Sequence, residues 1–99
     1  MIKRFKEPVS HEVIRNVKKY LVEGELGELV DVMRASDHPD DHYLYHVIAK
    51  KNGYYRCWTC WNESTQCLNY GHYDLPSERI AREICAEMFY RISGANVID

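Results

Sequence analysis

No stretch of this sequence approaches the ~18 consecutive apolar residues of a membrane span. Its first eight residues, Met1-Ile-Lys-Arg-Phe-Lys-Glu-Pro8, also lack the apolar core of a secretory signal. These absences point to a soluble, cytoplasmic protein whose four cysteines stay reduced. Internal repeats and low-complexity segments are missing too. There is no excess of basic residues: the formal net charge is −2, which argues against a protein held to nucleic acid by bulk electrostatic attraction. Phosphate loops, nucleophile elbows and paired-carboxylate motifs are absent, so the residues name no reaction.

What is present is ordinary in bulk. A chain of 99 residues makes one domain, residues 1–99, with a single modest core. A hydrophobic fraction of 45% and a charged fraction of 28% are those of a common globular protein. The unusual feature is eight tyrosines and two tryptophans. Such residues are enriched at interfaces, but they also suit strands and fill cores.

The rest of the chain is organised around Tyr43–Tyr73, where Asn52-Gly53 separates two runs rich in Tyr, Val, Ile, Cys and Trp. Asn-Gly supplies the two positive φ values of a type I′ turn and so signals a hairpin. Pairing Lys51 with Tyr54 then sets Ile48 opposite Cys57, Val47 opposite Trp58, His46 opposite Thr59 and Tyr45 opposite Cys60. The polar run Asn62–Thr65 marks a second turn. It predicts Trp61 opposite Gln66, Cys60 opposite Cys67, Trp58 opposite Asn69 and Cys57 opposite Tyr70.

On either side of this sheet the periodicity is helical. Residues 1–8 read as a flexible basic arm. From the N-cap Ser10, the residues Val13, Ile14, Val17 and Leu21 recur at helical spacing up to a stop at Gly24, predicting a helix over Ser10–Glu23. Leu26–Ala35 fits either period, and two glycines tip it toward a strand, Glu28–Ala35, paired with Tyr43–Lys50 before the turn at Ser36–Asp41. After Asp74-Leu-Pro-Ser-Glu78, a helix-start cluster, an apolar stripe of Ile80, Ala81, Ile84, Cys85, Met88, Phe89 and Ile92 predicts a helix to about Ser93. Residues 95–99 read as a frayed tail. The expected fold is α+β: an antiparallel four-stranded meander between N-terminal and C-terminal helices, in the order α-β-β-β-β-α.

Strand alternation divides the sheet into two faces. Tyr45, Val47, Trp58 and Cys60 share one. Leu44, His46, Ile48, Cys57, Thr59, Trp61, Leu68, Tyr70 and His72 share the other. If Ala35 pairs with His42, Val30 and Val32 join the first face, while Leu29 and Met33 join the second. Asp31 then falls in a row with His46 and Thr59, and such a row is costly to bury unless fully hydrogen-bonded. Both helices are therefore expected on the Val47/Trp58 face, as a two-layer sandwich. The other face would stay open, and an apolar area left open marks a partner surface.

Chemistry is thinly represented. Cys57, Cys60, Cys67 and His72 are residue types that zinc prefers, but a regular hairpin sends Cys57 and Cys60 to opposite faces, so they cannot share one tetrahedron. The same geometry argues against Cys57-Trp-Thr-Cys60 as a redox motif, which needs a helix N-terminus to activate its thiol. The Asp31, His46 and Thr59 row resembles an acid–base–hydroxyl arrangement, and a polar stripe on an open face explains it as well. The expectation is a small non-enzymatic interaction domain without cofactor or metal, regulatory or inhibitory in the manner of many domains of this size. It would dock a protein partner or its own copy through Leu44, His46, Thr59, Trp61, Leu68 and Tyr70. The alternative is a zinc-stabilised nucleic-acid-binding module using Cys57, Cys60, Cys67 and His72.

Overall fold

A computed structural model describes residues 9–35, 44–61 and 64–94, with the side chains of 61, 64–70 and 92–94 outside that description. The basic arm at 1–8, the turn at 36–41 and the tail at 95–99 fall outside the described residues. The elements are α1 (His11–Glu23), β1 (Glu28–Arg34), β2 (Leu44–Lys51), β3 (Tyr54–Trp61), β4 (Ser64–Leu75) and α2 (Glu78–Gly94). The strands form one antiparallel sheet in the order β1-β2-β3-β4. The fold is thus α+β in the expected order, a helix, an open meander and a second helix.

Local chemistry explains the boundaries. Ser10 caps α1, its hydroxyl accepting the Val13 N–H at 3.3 Å, and Ser77 accepts the Ile80 N–H at 3.3 Å in the first turn of α2. Asn52 and Gly53 take φ of 54° and 84°, the two left-handed values of a type I′ turn. The β2–β3 register follows from that turn as expected, with Lys51 opposite Tyr54, His46 opposite Thr59 and Tyr45 opposite Cys60.

The outer strands depart from regular pairing. On β1 a bulge lies between Leu29, opposite Ala49, and Asp31, opposite Ile48. It reverses the expected sides of Leu29 and Val30, placing Leu29 against the α1 core and Val30 against the α2 core. Beyond the bulge the pairing is offset by two residues from the expected one, so that Met33, not Asp31, lies opposite His46, and the Ala35 N–H donates to the Leu44 carbonyl. On β4 the expected pairs Trp61–Gln66, Trp58–Asn69 and Cys57–Tyr70 are replaced by Trp61–Ser64, Thr59–Asn69, Cys57–His72 and Tyr55–Leu75. Between these pairs β4 carries more residues than β3. Two of the insertions contain Gly71 and Asp74, the latter at φ 56°, residues that tolerate bulge geometry. The expected Cys60–Cys67 pairing does not appear in the observed register.

The helices do not share one face, as the sequence reading had expected. Val13, Val17, Tyr20 and Leu21 of α1 pack with Val32, Tyr45, Val47, Ala49, Trp58 and Cys60. Ala81 and Cys85 of α2 pack with Met33, Ile48 and Cys57 on the reverse side. The arrangement is helix, sheet, helix in three layers. Burying the His46 row carries a polar cost, but it also brings an apolar gain. Each fully buried large apolar side chain contributes about 1.5–3 kcal/mol, and Ile48 and Met33 are both buried there. One unsatisfied ring nitrogen costs about 1–3 kcal/mol, so covering the face wins.

Candidate functional site

Beneath α2 the polar row is satisfied in part. His46 and Thr59 are 1% and 3% exposed, and Thr59 Oγ1 lies 2.8 Å from His46 Nδ1. His46 Nε2 has no hydrogen-bond partner among the described residues. Burial pushes the imidazole pKa down to about 4, because the charged form loses its hydration. The ring therefore sits neutral in the core. Asp31 is not part of this row. It lies opposite Ile48, and its carboxylate accepts from Arg82 Nη1 of α2 at 2.6 Å while Arg82 Nε donates to Glu78 at 2.7 Å. These groups are partly exposed, so the link orients α2 more than it stabilises it.

Beside His46, Cys57 of β3 and Cys85 of α2 are both buried in one core and line the same gap, close enough for each thiol to set the other's titration. Cys85 holds the Cys57 pKa below the ordinary thiol value, whereas Cys57 and burial push Cys85 up. His46, Cys57, Thr59, Ile84, Cys85 and Met88 line one narrow gap between sheet and helix, with no room for a substrate. On the other side of the sheet a second buried chain forms. Trp58 Nε1 donates to Tyr20 Oη at 3.2 Å, and the Tyr20 hydroxyl donates to Cys60 Sγ at 3.4 Å. Burial raises the Tyr20 pKa and keeps the phenol neutral. Tyr20 thereby fastens α1 to the centre of the sheet.

The expected binding residues are accordingly dispersed. His46 and Thr59 lie under α2, where no partner can reach them, and Leu44 is half-buried at the start of β2. The side chains of Trp61, Leu68 and Tyr70 lie outside the described residues. The zinc alternative meets a geometric obstacle: Cys57 belongs to the α2 core and Cys60 to the α1 core, on opposite faces. His72 is paired with Cys57, and the Cys67 side chain is outside the description. Among the described residues no three His, Cys, Asp or Glu side chains are grouped to hold a metal.

Among the described residues the accessible aromatics are Tyr90 on α2, 61% exposed, and two tyrosines toward the Asn52-Gly53 end of the sheet. Tyr54 and Tyr73 are 52% and 49% exposed. The Arg56 guanidinium stands 5.2 Å from the Tyr73 ring centre, and Lys50 Nζ stands 5.3 Å from that of Tyr55. Tyr73 lies over Gly71, where an added Cβ would come within 2.8 Å of its hydroxyl. The ring therefore depends on the glycine beneath it. A groove of about 350 Å³ lined by Gly27, Glu28, Lys50, Lys51, Asn52 and Gly53 opens at the same end. Tyr54, Arg56 and Tyr73 are absent from the sequence-based set. Their signal was the β4 bulges, which bring Tyr73 beside Arg56, and regular alternation does not reveal bulges.

Fold and surface together define a small α+β domain with two packed cores and one exposed tyrosine–cation platform. The chain belongs to the family described as large polyvalent protein associated domain 24, whose model matches residues 12–79, from α1 into the first turn of α2. No curated protein and no solved structure matches it.

Proposed function

We propose that this domain is a non-enzymatic interaction module that docks another polypeptide on the Tyr54–Arg56–Tyr73 platform. The observation that carries the reading is the pair of half-exposed tyrosines, one of them lying over Gly71 with the Arg56 guanidinium 5.2 Å from its ring centre. Tyrosines and arginines fixed in this way lose little entropy on binding and are the residue types that dominate interface energetics. The adjoining groove, with Lys50, Lys51 and Glu28 on its walls, offers polar contacts for a rim. The buried His46–Thr59 pair has no space for a substrate beside it, which supports a binding role over a catalytic one. The family description names an association with large polyvalent proteins, and the proposed occupant is a segment of such a protein.

The test compares the immobilised domain with its Tyr54→Ser/Tyr73→Ser variant in lysate from the source cells. The expected result is retention of segments of a large polyvalent protein, identified by mass spectrometry. Retention should fall about tenfold or more in the variant while its thermal midpoint is unchanged. Equal retention by both proteins would refute the platform. Anisotropy showing tight binding of a single-stranded oligonucleotide, lost in the variant, would replace the polypeptide with nucleic acid. Sedimentation showing a dimer that the variant abolishes would make the occupant a second copy of this chain.

A further inference from the structure

Cys57 and Cys85 meet where β3 and α2 share a core. Cys57 is 1% and Cys85 2% exposed, both belong to one cluster with Met33, Ile48 and Ala81, and both line the gap beside His46. The two side chains thus face one another across the sheet–helix gap, and each influences the other's titration. The neighbouring Cys60 is turned to the other face, where Tyr20 donates to its sulfur. Burial as a small hydrophobic side chain needs no second thiol beside the first. We propose that Cys57 and Cys85 form an oxidative modification site, at which a peroxide joins them in an intrachain disulfide that ties α2 to the sheet.

The chemistry balances with hydrogen peroxide as oxidant. One thiolate attacks a peroxide oxygen, breaking the O–O bond and leaving a sulfenic acid; the departing hydroxide takes up the displaced thiol proton as water. The second thiol then attacks the sulfenic sulfur, the S–S bond forms, and the hydroxyl leaves as a second water. Each sulfur is oxidised by one electron, and the peroxide is reduced by two. Cys57 is the first nucleophile, since the neighbouring Cys85 favours its thiolate. Access comes through partial opening of α2, whose contacts with the sheet include this core, the buried Met88 and Phe89, and the half-exposed Arg82–Asp31 pair. Closure of the helix returns Cys85 to Cys57 and traps the bond. In the oxidised chain α2 can no longer leave the sheet. The site does not depend on the tyrosine platform, which is formed by other strand positions.

The experiment uses the reduced, full chain. It is treated with hydrogen peroxide, its remaining thiols are blocked with N-ethylmaleimide, and it is digested with trypsin without reductant. No Lys or Arg lies between Cys57 and Arg79, so Cys57, Cys60 and Cys67 share the peptide 57–79 while Cys85 is on 83–91. The expected product from the monomer is 57–79 joined to 83–91, with fragmentation placing the bond at Cys57. It should be lost in Cys57→Ala and kept in Cys60→Ala. The oxidised monomer should also melt on the order of 10 °C higher than the reduced one, and dithiothreitol should reverse the shift. A bond within 57–79, a link only between two chains, or no link at all would overturn the proposal. Fragmentation of the wild-type product decides the matter even if Cys57→Ala does not fold.

Discussion

Acidification tests the buried histidine. With its folded-state pKa at about 4 and a reference value of about 6.5 unfolded, His46 binds its proton more readily in the unfolded chain. Above pH 6.5 the ring is neutral in both states and linkage contributes nothing unfavourable. As pH falls below 6.5 the unfolded state takes up a proton that the native state refuses, so stability declines until the native pKa is passed. The loss reaches about 2 kcal/mol at pH 5 and saturates at about 3.4 kcal/mol below pH 4. For a domain of this size, the pH 5 figure lowers the thermal midpoint by about 8–16 °C relative to pH 7.5. Among the described residues no carboxylate lines the gap to hold the imidazolium: its lining side chains are Cys57, Trp58, Thr59, Ile84, Cys85 and Met88. The assay is thermal unfolding followed by circular dichroism across this range, for the wild type and for His46→Gln. Carboxylates contribute to both curves alike, so the difference between the two slopes isolates the ring. Parallel slopes, or a wild-type midpoint that rises toward pH 5, would show that His46 is not neutral and enclosed as argued.

Two further outcomes follow from the packing. Tyr20→Phe keeps the ring but strands the Trp58 indole N–H and removes the donor to Cys60; chemical denaturation should report a loss of about 1–3 kcal/mol, and an unchanged midpoint would mean that the chain Trp58–Tyr20–Cys60 is not formed. Gly27 has φ 116°, and a Cβ there would stand 2.7 Å from the Lys50 carbonyl oxygen, whereas Gly53 at φ 84° has open space around it. Gly27→Ala should therefore destabilise by about 2 kcal/mol or more and Gly53→Ala by about 1 kcal/mol. The reverse order in a melting comparison would contradict the β1–β2 approach.

Much of the architecture was legible because it rests on local chemistry. Asn52-Gly53 dictates a two-residue turn, the turn dictates the β2–β3 register, and every pair from Lys51–Tyr54 to Tyr45–Cys60 follows. Ser10 and Gly24 bracket α1 in the same way, with capping bonds at both ends. Legibility falls away at the outer strands, where bulges decide the register. Val30 is one extra residue on β1, yet it reverses the face of every position toward Glu28, while on its other side a two-residue offset in the pairing sets Asp31 opposite Ile48 instead of His46. Gly71 and Asp74 have a similar effect on β4 and give Cys57 the partner His72. A bulge leaves little trace in composition, because the inserted residue alternates like its neighbours and only its backbone differs.

The placement of α2 shows why candidate sites were harder to read than elements. Both faces of the sheet carry apolar residues, so hydrophobic patterning does not say which face a helix takes. The polar row stands against burial, but its parts come apart in the observed register of β1. Asp31 goes to the edge and meets Arg82, while His46 and Thr59 satisfy one another and leave a single ring nitrogen unmatched. A row of three polar groups that was too costly to cover becomes one neutral pair that a helix can cover. Once α2 lies there, His46 and Thr59 of the surface expected for docking are enclosed. Tyr54 and Tyr73 stay exposed toward the hairpin end of the sheet, and Cys57 and Cys85 become neighbours in one core. The register of β1 thus decides what α2 has to bury, while the bulges of β4 bring Tyr73 beside Arg56.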